Sequence, residues 1–344
     1  MARSIFRKMF VAGFMICLPC AKSNAQLTWV NVDTGFSPIP MGFHVFKTTD
    51  SLDGKPFAAY YAIADLKNKK LVFTTDTTSN RRLTPSGFYE KSGQPLLVVN
   101  TTFFSFATNQ NLNIVVKDNK IVSYNTHTIP MKGKDTLLYK HPFASAIGIS
   151  KKRKADVAWT FTDSSTKTPF AIQRVSTPVK DSLNFLSFEK ATDYSAEILR
   201  AGFTGIRNYK PLLKKWKMNT AVGGGPVLVQ NGQINVSNDE ELKFAGKAIN
   251  DKHPRTLMGY TKDHKLIVMV IEGRNAGIAD GADLIQAAKL MTDLGCDEAL
   301  NLDGGGSSCM LINGKETIKP SDKGLQRPIP AVFIIRRKVK NRVH

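Results

Sequence analysis

Short apolar segments closed by turn residues recur along this chain, and they predict a sheet-rich fold. Phe57 to Ala64, Leu71 to Thr75 and Leu96 to Asn100 have the composition of strands. Antiparallel pairs are predicted where two such segments are separated by a turn whose residues tolerate positive φ. Three such turns are Asp118-Asn119, Asn231-Gly232 and Asn313-Gly314. A further pair, Ala144–Ile149 with Ala155–Phe161, is predicted around the basic turn at 151–154. We therefore expect an α+β protein built mainly of antiparallel sheets with hairpins.

Two helices interrupt this pattern. Thr84-Pro85 predicts a short one, with threonine as the cap and proline in the first turn. A longer helix is predicted from Asp283 to Leu294, because Asp283 and Gln286 form a capping box and Gly295 is a stop signal. Its apolar residues recur at helical spacing, which is typical of a face buried in the core.

The longer helix connects two apolar segments, Leu266–Ile271 and Ala299–Leu302. Strand, helix and strand in this order indicate a crossover unit. If the two strands are parallel, Glu272 and Asp303 leave the sheet at the same edge, where open sheets bind ligands. The crossover is therefore the predicted location of a site.

A glycine string follows the second of these strands, in the sequence Asn301-Leu302-Asp303-Gly304-Gly305-Gly306-Ser307-Ser308. Consecutive glycines cost backbone entropy, so a folded protein keeps them for a turn or for close approach of a ligand. Alone, the string is compatible with either. Asp303 adds a charge, Ser307 a hydroxyl, and the glycine amides are candidate donors to phosphate or sugar oxygens.

Two carboxylates and two arginines are the strongest candidates for chemistry. Glu272 and Asp303 are the type of pair that glycosidases use, and Arg255 and Arg274 offer planar donors suited to phosphate. The alternative for each arginine is an ion pair with one of these acids. Further candidates for substrate binding are Asn100, Asn301, Gly224 and Gly225; His253 is more typical of a bystander.

Composition bears on the compartment and the partner. The net charge of +20 favours an anionic partner such as phosphorylated polysaccharide, although scattered lysines usually form a solvated surface. Residues 1–25 have the basic start, apolar run and small residues of a signal peptide, which predicts export to the bacterial periplasm or beyond. We expect one domain over 26–337, with 163–217 as an insertion or lid and 338–344 as a basic tail. No segment of the mature chain is predicted to span a membrane.

Other functional classes lack their motifs. There is no Walker phosphate loop and no His-Glu-x-x-His motif, and the six histidines are not at metal-ligand spacing. We therefore expect no metal and no cofactor. Nucleic acid is not expected as a partner, because no basic helix stands out. Cys296 and Cys309 flank a predicted strand and are expected to be free thiols.

Several motifs occur here in one combination: Arg255-Thr256 with Gly259, Glu272-Gly273-Arg274, the capped helix, and Ala299 to Ser308. This combination resembles the phosphodiester glycosidase family. The resemblance extends to 100–104, Gly223–Pro226 and Arg327-Pro328, and so covers most of residues 90–335. Glu272 departs from the family pattern, which usually has Asp at that position.

The resemblance implies hydrolysis of the glycosidic bond in a sugar-1-phosphodiester, such as an N-acetylglucosamine-1-phosphodiester, with release of sugar and a phosphomonoester. Asp303 and Glu272 would then be catalytic, as nucleophile or as base for water. Two alternatives stay open. One is a phosphodiesterase that cleaves the P–O bond, and the other is a non-catalytic protein that binds envelope polysaccharide.

Overall fold

A computed structural model describes residues 27–202 and 212–338 of the chain. Its strands form three larger sheets of eight, seven and five strands and two small ones, and all of the described strand pairs are antiparallel. The mainly antiparallel α+β class is therefore confirmed. The predicted signal peptide and most of the basic tail lie outside the described residues. No helix among the described residues is long and apolar enough to cross a bilayer.

The strands of each sheet follow in spatial order. The eight-stranded sheet consists of Val30–Asn31, Phe43–Thr48, Ala59–Asp65, Lys265–Ile271, Arg255–Thr261, Cys296–Asn301, Val227–Gln230 and Gln233–Ile234. The seven-stranded sheet consists of Lys214–Lys215, Phe170–Ile172, Ala155–Phe161, Ala144–Ile149, Thr220–Gly223, Val115–Lys117 and Lys120–Ser123. The five-stranded sheet consists of Lys315–Glu316, Met310–Ile312, Leu97–Asn100, Ala331–Arg337 and Leu71–Thr77.

The small sheets and the helices complete the fold. A three-stranded sheet consists of Ile129–Pro130, Tyr139–His141 and Val179–Asp181, and a hairpin of Ser51–Leu52 and Lys55–Pro56. The α-helices are Pro85–Lys91, Phe188–Gly202, Asn238–Glu241 and Leu284–Asp293. Short 3₁₀ turns occur at Asp33–Phe36, Gly133–Asp135, Gly246–Ile249 and Gly305–Ser307. Residues 163–217, predicted as an insertion or lid, contribute two strands to the seven-stranded sheet in their described part.

The three large sheets share one hydrophobic core, to which each contributes large buried side chains such as Phe43, Leu97 and Trp159. The helix Leu284–Asp293 covers the other face of the eight-stranded sheet, where Leu284, Ala287 and Met291 pack against sheet residues. These side chains belong to the apolar stripe predicted from the sequence, and their burial fixes the helix against the sheet.

The turns and helix caps predicted from local sequence are present in the structure. The three hairpins close with both turn residues at positive φ, at Asp118-Asn119, Asn231-Gly232 and Asn313-Gly314. Thr84 caps the short helix, and Asp283 and Gln286 form the reciprocal capping box of the longer one. These predictions are confirmed, because each depends on residues close in sequence.

The strands on either side of the longer helix run in the same direction. Lys265–Ile271 and Cys296–Asn301 each pair antiparallel with Arg255–Thr261, which lies between them. Their last residues therefore lie at one edge of the sheet, together with the first residue of the middle strand, Arg255, which is opposite Ile271. This edge also meets the end of the five-stranded sheet.

Candidate active site

The candidate site lies where the ends of two sheets meet, and backbone contacts hold Asp303 there. The Asp303 amide donates to the Thr101 carbonyl at 2.7 Å, just after the strand Leu97–Asn100. The Asn100 side-chain amide donates to the Asp303 carbonyl at 2.6 Å. Two contacts to one neighbouring strand end fix the position of the Asp303 backbone.

The Asp303 carboxyl group has an unusual protonation equilibrium. Burial raises its pKa to about 7, although the Ser307 hydroxyl, the Arg327 guanidinium and the Gly304 amide oppose that shift. A carboxyl that titrates near neutrality can accept or release a proton during turnover. Within the described residues, the buried hydroxyl of Thr101 has no hydrogen-bond partner.

The glycine string brings two arginines onto one backbone segment. A Cβ atom placed on Gly306 would lie 2.1 Å from Nη2 of Arg327, so only glycine leaves room for this guanidinium. A Cβ on Gly305 would lie 3.2 Å from both terminal nitrogens of Arg274, and Gly305 has a φ of +59°. The string is thus both a turn and a close approach, but what approaches is the protein's own arginines.

The amide of Gly305 is not free for an anion, because it donates to the Pro254 carbonyl at 2.8 Å. The prediction that this glycine amide holds a substrate oxygen is therefore wrong. The Gly304 amide contributes instead to the environment of the Asp303 carboxyl. Gly304 also packs tightly, since a Cβ on it would lie 2.8 Å from the Pro254 carbonyl oxygen.

Arg274 is exposed, and its guanidinium lies against His253. Its Nη2 lies 3.3 Å from Nδ1 of His253. Burial and the nearby Arg255 and Arg274 lower the pKa of His253, so this histidine is neutral at neutral pH and can accept from the guanidinium. Among residues 27–202 and 212–338, neither Arg274 nor Arg255 forms an ion pair, and the ion-pair alternative is therefore not supported.

Arg255 is a structural residue behind the site. Its Nε donates to the Ala282 carbonyl at 2.9 Å and its Nη2 to the Asp251 carbonyl at 3.1 Å. The guanidinium lies 5.5 Å from the centre of the Phe244 ring, and burial lowers its pKa to about 10. With these contacts and 2% exposure, the predicted phosphate contact of Arg255 is not supported.

Glu272 is also held by protein contacts. One carboxylate oxygen accepts from the Asn275 side chain at 2.8 Å, and the other accepts from the Lys319 amide at 3.1 Å. The residue is 9% exposed. These bonds connect the strand end to two loops, so the geometry favours a positioning role over the predicted catalytic one.

Four predicted substrate-binding residues are buried and bound to protein groups instead: Asn100, Asn301, Gly224 and Gly225. The Gly225 amide donates to the Asn301 carbonyl at 2.7 Å, and the Asn301 side chain donates to the Gly225 carbonyl at 3.0 Å. Asn100 Oδ1 accepts from the Thr256 hydroxyl at 2.8 Å. These contacts align neighbouring strands and do not support the role of direct ligands, which stays a prediction.

Arg327 is the site residue that sequence reasoning missed. Its Nε donates to Asp322 at 2.9 Å, its guanidinium lies against Gly306, and its charge acts on Asp303. The only signal in the sequence is the Arg327-Pro328 pair, which belongs to the stretches that resemble the family. The arrangement offers a titrating carboxyl and two guanidinium groups, which suits hydrolysis of an anionic substrate.

Two further observations concern the cysteines and the possible metal ligands. Cys296 and Cys309 are buried free thiols, which confirms that prediction. The part of the chain that the structure describes holds no group of three or more potential metal-ligating His, Cys, Asp or Glu residues.

Comparison with known proteins decides the family. A family model of phosphodiester glycosidases matches residues 93–336. The chain belongs to the phosphodiester glycosidase family. This phosphodiester glycosidase domain contains Asp303, Arg274, Arg327 and the glycine string. The remaining comparisons place it among distant relatives.

Two curated proteins are similar over short segments. The SPbeta prophage-derived uncharacterized protein YomE of Bacillus subtilis is 35% identical over 81 residues, which are 24% of this chain and 12% of that protein. The mouse N-acetylglucosamine-1-phosphodiester alpha-N-acetylglucosaminidase is 27% identical over 103 residues, which are 28% of this chain and 20% of that protein. The chain thus spans a fifth or less of the length of these relatives.

Solved structures share the fold. The catalytic domain of the zebrafish N-acetylglucosamine-1-phosphodiester alpha-N-acetylglucosaminidase, auto-inhibited by its pro-peptide, matches with a TM-score of 0.55 and 19% identity, covering 88% of this chain and 85% of that one. A hypothetical protein from Synechocystis matches with a TM-score of 0.56 and 12% identity, covering 92% of this chain and 68% of that one. A putative exported protein of Burkholderia pseudomallei matches with a TM-score of 0.54 and 15% identity, covering 82% of this chain and 74% of that one.

Proposed function

We propose that this phosphodiester glycosidase hydrolyses the bond between C1 of a sugar and the oxygen of a phosphodiester, releasing free sugar and a phosphomonoester. The observation that carries the proposal is the Asp303 carboxyl, titrating near pH 7 beside Arg327 and the glycine turn that also holds Arg274. An N-acetylglucosamine-1-phosphodiester is the substrate we infer first, because the mouse relative carries that substrate in its name.

In the proposed reaction, deprotonated Asp303 takes a proton from water while the water oxygen forms a bond to C1. The C1–O bond breaks, and its electron pair leaves with the phosphomonoester. The new negative charge on the leaving oxygen is stabilised by Arg274 and Arg327, whose guanidinium groups match phosphate oxygens in geometry. Direct attack by the carboxylate on C1 is the second possible sequence of steps for the same residues.

The leaving group explains why one carboxyl is enough. A phosphomonoester leaves readily, so strong protonation by a second acid is less necessary than with an ordinary alcohol. Glu272, whose two oxygens bind Asn275 and Lys319, then supports the loop that carries Arg274. In this account Glu272 positions the arginine, and Asp303 does the chemistry.

We also propose that the protein works outside the cytoplasm on phosphorylated glycan. The support is the signal-peptide pattern of residues 1–25 and the net charge, which is +20 for the full sequence and stays strongly positive without Arg3, Arg7, Lys8 and Lys22; such a charge attracts anionic polymers. Residues 26–337 would then form the mature domain, with 163–217 as an insertion.

Kinetics of two matched carboxyl-to-amide variants tests the assignment. Asp303→Asn is expected to reduce kcat on a glycosyl phosphodiester by about 10³-fold, the usual range for loss of a general base. Glu272→Gln is expected to retain most of kcat, because the new amide oxygen can still accept from the Lys319 amide and its NH2 group can donate to Oδ1 of Asn275 once that side-chain amide turns round. Equal losses in both would contradict the assignment. No turnover by the wild type on any sugar phosphodiester would favour a non-catalytic binding protein.

A further inference from the structure

A polar cavity of about 570 Å³ is lined by the segments 77–80, 110–111 and 122–126. Val122 is the only apolar residue in its lining, and none of the lining side chains carries a charge. Charged residues make up 22% of the chain and its net charge is +20, so this neutral wall differs from the rest of the surface. Hydroxyl and amide groups in such number match the mixed donors and acceptors of sugar hydroxyls.

The inner wall of the polar cavity is held in place by hydrogen bonds. Asn111 donates to the Thr77 hydroxyl at 3.1 Å, Asn125 donates to the Thr160 hydroxyl at 2.8 Å, and Ser123 donates to the Asn113 carbonyl at 3.0 Å. Because these side chains are already ordered, they lose little conformational entropy when a ligand binds.

The rim differs from the inner wall, because its polar groups are free. Within the described residues, five rim side chains form no hydrogen bond: Ser79, Asn80, Gln110, Tyr124 and Thr126. Tyr124 is 43% exposed. An exposed aromatic face packs against the C–H groups of a sugar ring, while the surrounding amides and hydroxyls bind its hydroxyls.

The polar cavity is connected to Asp303 through consecutive residues. Asn111, which lines the cavity, accepts a hydrogen bond from the Thr102 hydroxyl, and the neighbouring Thr101 carbonyl accepts from the Asp303 amide. A second cavity of about 300 Å³, lined by Phe103 and Lys243, shares Thr126 with the first. The segment 101–103, which contacts Asp303, is thus joined to the polar cavity through Asn111 and lines the second cavity with Phe103.

We propose that the polar cavity binds an uncharged glycan segment covalently attached to the scissile phosphodiester. This inference rests on the proposed function for the reaction itself. The assignment of substrate groups follows from charge. Arg274 and Arg327 bind the phosphate, and the uncharged cavity binds the sugars attached to it. The cavity volume suits one or two sugar rings, since ligand pockets usually measure about 300–1,000 Å³.

Binding of free oligosaccharides tests the cavity without turnover. The probes are maltotriose, chitotriose and α-mannotriose, titrated into Asp303→Asn protein and followed by calorimetry and saturation-transfer NMR. In the Asp303→Asn protein, the additional substitution Tyr124→Ala is expected to raise the Kd of the probe that binds about tenfold, the upper range for loss of an aromatic contact. Tyr139→Ala, a half-buried tyrosine outside the cavity, is the matched control. No binding of any probe at millimolar concentration, or equal loss in both variants, overturns the proposal.

Kinetics then separates a substrate segment from a site for free oligosaccharide. The substrates are a methyl phosphodiester of N-acetylglucosamine-1-phosphate and the same phosphate esterified to the trisaccharide that bound. Tyr124→Ala should lower the ratio of kcat/KM for the long over the short substrate about tenfold, and Tyr139→Ala should not. An unchanged ratio overturns the proposal. If neither substrate is hydrolysed, the proposed function fails, while the binding titration still decides whether the cavity takes a neutral glycan.

Discussion

At Gly306, one methyl group would occupy the space that the Arg327 guanidinium fills. The same turn receives Arg274 at Gly305, and the Asp303 carboxyl lies at its start. The absence of side chains on these glycines therefore leaves room for two guanidinium groups, and one of them, Arg327, acts on a carboxyl whose pKa burial has raised. The sequence pointed to the glycines, to Asp303 and to Arg274, but not to Arg327 as a residue of the site.

Gly306→Ala tests this arrangement. The added methyl group must displace Arg327, and we expect kcat/KM to fall about 10²-fold, as when one preorganised donor is lost from an active site. Gly35→Ala is the control, because a Cβ there meets nothing within 4 Å. Retention of full activity in Gly306→Ala would contradict a role for Arg327.

The pH dependence of turnover tests the protonation of Asp303. Burial raises its pKa from 3.8 to about 7, and the proposed base is the deprotonated form. We therefore expect kcat/KM to rise with pH through an apparent pKa near 7, measured in buffers of constant ionic strength. A rate that falls as pH rises through 7 would mean that Asp303 acts as an acid.

The raised pKa of Asp303 also makes the free energy of unfolding depend on pH. The folded state holds this proton more tightly than the unfolded state, so the contribution of Asp303 to the free energy of unfolding falls as pH rises from about 4 to about 7. Asp303→Asn removes the buried charge and should gain stability relative to the wild type above pH 7. Urea titrations at pH 5 and pH 8 measure the difference.

At the scale of elements, the sequence predicted what depends on neighbours in the chain. The turn Asn231-Gly232 and the cap at Asp283 form because the residues that specify them are adjacent. Asn100 is different. Its side chain contacts the Asp303 carbonyl across 203 positions of sequence, so its role as an anchor, instead of a sugar ligand, depends on how two sheets meet.

The capping box of the helix Leu284–Asp293 makes a prediction at this scale. Asp283 accepts from the Gln286 amide at 2.8 Å, and Asp283→Ala should lower the free energy of unfolding by about 1 kcal/mol. Asp293→Ala, at the opposite end of the helix, is the control, because an acid there gains nothing from the helix dipole. Urea titration measures both, and equal effects would contradict the capping argument.

At the scale of the molecule, the class could be predicted but the assembly could not. Alternating short apolar segments indicated antiparallel sheets, and the crossover indicated that Glu272 and Asp303 leave the sheet at one edge. That three sheets share one core, and that Arg255 is held by carbonyls behind the site, depend on contacts between distant segments. Such contacts have no local signature.

Hydrolysis of an N-acetylglucosamine-1-phosphodiester in ¹⁸O-labelled water is the most direct test of the central claim, which is cleavage of the C1–O bond. If water attacks C1, mass spectrometry of the products will find the label in the released sugar and none in the phosphomonoester. A short incubation limits exchange at C1, and unlabelled N-acetylglucosamine added to the labelled water measures what exchange remains. Label in the phosphomonoester, with an unlabelled sugar, would show P–O cleavage and contradict the account.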